Sequence, residues 1–155
     1  MKIFFAAASN PFDLKKALLA PHAQHPVIIH FPIALFIASV VFDLLALWRQ
    51  RPIFVAVANY NLIGAAIMLP LTLATGLGAW RWQLEGAALK GNLLLHIIFA
   101  VTSATLVFLL CVIRLRLRDA GRMQRLAYFS VTFLALLAIT ITGHLGGILS
   151  GVEAP

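Results

Sequence analysis

Four long apolar runs, separated by three short polar links, make up most of the chain. They lie at about residues 26–48, 53–80, 92–113 and 126–150. Each reaches the ~20 apolar residues that a helix needs to cross a bilayer. Spanning backbone must satisfy its own hydrogen bonds, and four strands cannot close a barrel, so the runs are predicted as helices. The links run from Arg49 to Pro52, Arg81 to Gly91 and Arg114 to Arg125. Links this short make successive helices antiparallel neighbours. The pattern predicts an all-α membrane protein, an antiparallel four-transmembrane-helix bundle over residues 22–150 with tails at 1–21 and 151–155. No soluble domain and no internal repeat is visible.

In the N-terminal tail, Asn10-Pro11-Phe12-Asp13 carries a cap, a first-turn proline and a first-turn acid. Phe12, Ala17, Leu18 and Leu19 oppose Asp13, Lys15 and Lys16, which predicts a short amphipathic helix on the membrane surface. The six-residue apolar run before it is too short for the core of a secretory signal. Pro70 is expected to kink the second span.

Composition narrows the class. Hydrophobic residues are 62% and charged residues 11%, less than half the soluble share, so a soluble surface could not be covered. The formal charge of +7 reflects twelve Lys and Arg against five acids. No polar domain carries a basic patch, which excludes nucleic acid as the reading of that charge. Instead Arg49 and Arg51 fill the first link, and Arg114, Arg116, Arg118, Arg122 and Arg125 the third. The positive-inside rule places both links on the cytoplasmic side and both termini outside, with Trp80 and Trp82 at the outer interface. Cys111 is expected as a small core residue.

Candidate chemistry concentrates at the outer end. His30 and His96 stand about one turn inside spans one and three, and His144 about six residues before the end of span four. At ~1.5 Å per residue, all three lie roughly 6–10 Å below the outer edge. Histidine is expensive in hydrocarbon, so such a layer points to function. His22 and His25 read as loop residues ahead of span one, His25 alternatively as a partner of the site. Gly76 and Gly78 close span two; Gly143, Gly146 and Gly147 close span four. One diagonal of the bundle would supply His30 and His96, and the other glycines that leave room for a flat macrocycle. Haem b with His30 and His96 as axial ligands fits this pattern, with Arg81 and Lys90 meeting the propionates. His144 could replace either ligand, bond a propionate, line a pocket, or join His30 and His96 around zinc or copper. Each histidine could also bond a carbonyl on a neighbouring helix, giving a cofactor-free accessory subunit. Asp43, nearer the other end, is expected to pair with Arg49, Arg51 or Arg114. No nucleophile–base pair, phosphate loop or CxxCH haem-attachment motif is present.

The residues His25-Pro-x4-His30-Phe-Pro-Ile-Ala-Leu and Gly143-His-Leu-Gly-Gly resemble a bacterial four-span membrane family, domain of unknown function two-two-three-one. The resemblance covers about residues 22–150. Members continue the second motif with a further His-Gly pair, where this chain has Ile148-Leu-Ser-Gly-Val-Glu153. The resemblance implies a bacterial inner-membrane protein, both termini periplasmic. Family members fused to c-type cytochrome domains imply a redox role, with a membrane redox complex or a periplasmic electron carrier as partner. The architecture is also similar to bis-histidine membrane cytochromes b, by analogy alone.

Overall fold

The computed structural model describes residues 21–82, 84–116 and 122–151. The expected surface helix near residues 10–19 and the side chain of His22 lie outside the described residues. The helices are α1 (Pro21–Ile28), α2 (His30–Arg49), α3 (Pro52–Trp82), α4 (Gly91–Arg116) and α5 (Arg122–Leu149), with no strand among the described residues. Four segments are long and apolar enough to cross a membrane: Gln24–Arg49, Pro52–Trp82, Gly91–Arg116 and Met123–Leu149. The chain is an integral membrane protein with an all-α four-span bundle.

Span one begins earlier than its apolar run. Pro26 sits inside α1 rather than at a helix start. Between α1 and α2 only Ile29 interrupts, and its φ of −60° and ψ of −26° keep the right-handed path. The interruption has a cause in Pro32, whose ring would crowd the carbonyl four residues earlier, that of Ile28. The first span thus continues through His25 and His30 as one rod with a loosened turn. The corner to α3 is tight. Gln50 adopts a left-handed φ of 51° and its N–H closes onto the Ala46 carbonyl at 2.9 Å. Pro52 then opens α3, where its missing N–H costs nothing. α3 stays helical through Pro70.

α2 packs on α3 and α4 on α5; the two hairpins meet through α3–α4 and, more sparsely, α2–α5. Spans one and three therefore lie across one diagonal, two and four across the other. α1 packs mainly on α3. Phe36, Leu62, Ala65, Val107, Leu110, Cys111 and Ala135 form the apolar core, at mid-span and toward the arginine-rich end. Lipid is as apolar as these residues, so the core holds by close packing rather than by escape from water. Ser39 Oγ donates to the Ala58 carbonyl at 2.9 Å and stitches α2 to α3.

Of the three arginines expected beside Asp43, the structure selects Arg114. Its Nη1 donates to Asp43 Oδ2 at 2.6 Å and its Nη2 to Oδ1, a two-pronged pair. Nη1 also donates to Tyr128 Oη at 2.8 Å, so the phenol proton is left to Asp43 Oδ2 at 3.1 Å. The side chains of Arg114 and Asp43 are only 16% and 7% exposed. Neither charge would be tolerable alone at this burial. Together with Tyr128 they fasten α2, α4 and α5.

Candidate functional site

The inward face of span one follows from its buried positions. Pro32, Phe36, Ser39 and Asp43 are buried, spaced by four, three and four residues. A helix turns ~100° per residue, so the same stripe continues seven residues back to His25. His30 is five residues from His25, about 140° round the helix, and cannot share that face. The structure agrees. His25 is half-buried and faces α3, whereas His30 is exposed and its Nδ1 turns back to the Pro26 carbonyl of its own span. On span one the inward histidine is thus His25, read from the sequence as a loop residue or a partner of the site, and not His30.

His25 Nδ1 lies 3.1 Å from Thr75 Oγ1. Thr75 spends its hydroxyl proton on the carbonyls of Leu71 and Thr72, each at 3.0 Å. With that proton on either carbonyl, the Thr75 oxygen can accept from a proton on His25 Nδ1. On the other hairpin His96 Nδ1 lies 3.0 Å from the Thr142 carbonyl, which can only accept. His96 is thus protonated at Nδ1. Neutral His96 therefore keeps its lone pair on Nε2, the arrangement by which an oxygen acceptor orients a ligating histidine, and the Thr75 oxygen supports the same tautomer at His25.

Glycine sits against each ring. A Cβ added at Gly76 would fall 3.1 Å from His25 Cε1, and one at Gly146 would fall 3.3 Å from His96 Cε1. The other glycines do different work. A Cβ at Gly78 would meet the Trp82 ring at 2.8 Å, so Gly78 makes room for an interfacial tryptophan and not for the histidine layer. Gly143 faces open space. Gly147 is half-buried near the end of α5. His144 is exposed on α5. Among the described residues no three His, Cys, Asp or Glu side chains gather to hold a metal ion, so His30, His96 and His144 are not brought together. Arg81 and Lys90 are exposed at the histidine end, flanking a link that Trp80 pins by donating from Nε1 to the Ala87 carbonyl at 2.9 Å.

The two hairpins each place an inward histidine against the second helix. His25 meets Thr75 and Gly76; His96 meets the Thr142 carbonyl and Gly146. Eighteen residues separate His25 from Asp43 and His96 from Arg114. Eighteen residues are five full turns, ~27 Å with no net rotation. The diagonal helices thus present matched inward lines, with a histidine pair at one end and an ion pair at the other.

Fold and site define an integral membrane four-helix bundle with a paired-imidazole layer near one end. The family model described as "Predicted membrane protein (DUF2231)" matches residues 21–153, and the chain belongs to that family. No curated protein and no solved structure matches it.

Proposed function

We propose that this protein is a membrane electron-transfer protein of the b-type cytochrome kind, holding one haem between Nε2 of His25 and Nε2 of His96. The observation that carries the reading is the pair of inward imidazoles, one on each diagonal span, each held at Nδ1 by an oxygen and each resting on a glycine. Two donors on opposite sides of the bundle suit a flat macrocycle ligated from both faces. Gly76 and Gly146 supply the space beside the rings, and the exposed Arg81 and Lys90 are placed to meet the propionates. When bound, the haem supplies reversible one-electron chemistry; the protein orients the imidazoles and sets their basicity through Thr75 and Thr142. The arginine-rich end faces the cytoplasm of a bacterial inner membrane, which puts the histidine layer and both termini toward the periplasm. A periplasmic carrier or another subunit of a membrane complex then exchanges electrons at that face.

The test is a visible spectrum of the full chain purified from haem-replete cells. Dithionite reduction should bring up sharp α and β bands with one haem per chain. A colourless protein sinks the proposal, and bound zinc or copper without iron turns the site into a metal centre. Gly76→Val adds a second check. Its branched side chain enters the space beside His25, so haem affinity should fall ~10–100-fold, the range seen when the partners orienting a ligand are disturbed. Haem titration of the apoprotein measures this directly.

A further inference from the structure

At the arginine-rich end, a cavity of ≈ 130 Å³ lies between α3 and α4. Asn59, Leu62 and Ile63 line it from α3, and Cys111, Arg114 and Leu115 from α4. The Asn59 Oδ1 is buried with no hydrogen-bond partner among the described residues. A buried acceptor left unpaired is costly, and a cavity edged by an amide and a guanidinium offers a remedy. Apolar cavities stay dry, whereas cavities with polar partners hold water. At ~30 Å³ per water, this one has room for about four.

Asn59 also borders an open groove of ≈ 500 Å³ along the α2–α3 corner, which Gln50 and Arg51 line as well. Both of these are exposed at the first link. Polar groups therefore mark the whole way from the surface, past Asn59, to Arg114. The way is short. Asn59 lies seven residues past Pro52, ~10 Å along α3, and Arg114 two residues before the end of α4, ~3 Å. It ends at Leu62, which lines the cavity, is 1% exposed and belongs to the apolar core with Phe36, Val107 and Leu110. The buried ion pair meets the cavity from one side only. Arg114 lines it, while Asp43 does not.

We infer that groove and cavity form a one-sided aqueous inlet, which carries water from the arginine-rich face to the Arg114 side of the buried ion pair and stops at the apolar core. One water donates to Asn59 Oδ1, and its neighbours accept from the Arg114 guanidinium. The exchangeable protons along the cavity then trade with that face of the membrane. The inlet is independent of the histidine layer and of what that layer holds.

Cys111 is the sole cysteine of the chain and lines the cavity, so its S–H stretch, in an infrared window clear of other protein bands, reports on this one place. The test is transfer of the full chain, in lipid nanodiscs, into D₂O. Amides inside the helices exchange only when the helix opens, whereas a thiol beside water needs no opening. Cys111 should therefore convert to S–D at least ~10-fold faster than the protected amides of the bundle, a modest gap on the scale of opening free energies. Asn59→Leu removes the acceptor and should slow the thiol at least ~fivefold, the factor one net hydrogen bond supplies. Val107→Cys in a Cys111→Ala chain moves the thiol about one turn deeper, into the core, where it should keep its S–H as long as the amides keep their N–H. A Cys111 thiol that exchanges no faster than the amides overturns the inference. Equal exchange at positions 111 and 107, or a rate unchanged by Asn59→Leu, overturns it as well.

Discussion

His25→Ala and His96→Ala should each abolish the paired low-spin α and β bands, while His30→Ala keeps them at full intensity. Losing one Nε2 leaves the iron with one protein ligand, and a single imidazole gives a different, high-spin spectrum or none. His30 is the control because it is exposed and, among the described residues, its bond is to the Pro26 carbonyl of its own span. His144→Ala should likewise retain the bands, since His144 stands exposed on α5. Reduced-minus-oxidised spectra and haem content per chain decide the assignment. Bands that vanish in His30→Ala and persist in His25→Ala would reverse it.

The difference between His25 and His30 marks where the sequence stopped being legible. Apolar run lengths were enough for four spans, their antiparallel order and their diagonals. Depth counting put His96, Gly76 and Gly146 at the end of the bundle where Gly76 packs against His25 and Gly146 against His96. It failed for His25 because Pro26 reads as a helix start, although the helix begins at Pro21 and passes through it. Depth says how far a residue lies from an interface but not which way it points. That information sits in Ser39 and Asp43, the polar residues that mark the buried side of span one. Stepping back from them at intervals of four and three passes Phe36 and Pro32 and arrives at His25, not His30. On span three the same steps from Arg114 pass Leu110, Val107 and Ser103 and arrive at His96. The partner of Asp43 was open among three arginines for the same reason: only Arg114 lies on the matching inward line.

Arg114→Leu should be the most destabilising single change outside the histidine layer. It strands the Asp43 carboxylate, 7% exposed, with only the Tyr128 hydroxyl to bond it. Breaking one side of a buried pair costs ~3–5 kcal/mol. Replacing both partners by apolar residues removes the stranded charge, so Asp43→Leu/Arg114→Leu should recover most of the loss. Reversible unfolding in mixed micelles, followed by helicity, gives the three stabilities needed. A double variant no more stable than Arg114→Leu alone would show that the pair contributes attraction well beyond mutual neutralisation.

The apolar core and the Asp43–Arg114–Tyr128 fastening lie at mid-span and toward the arginine-rich end, while the paired imidazoles lie ~27 Å from the ion pair. This spacing has a meaning for biogenesis. The contacts that close the bundle do not wait on whatever the imidazoles hold. On the proposed haem reading, membrane insertion and helix assembly can finish first, with the histidine end loaded afterwards. Maturation then becomes a separable event, and cells starved of the ligand would accumulate an inserted, protease-resistant apoprotein ready to be filled rather than a degraded chain.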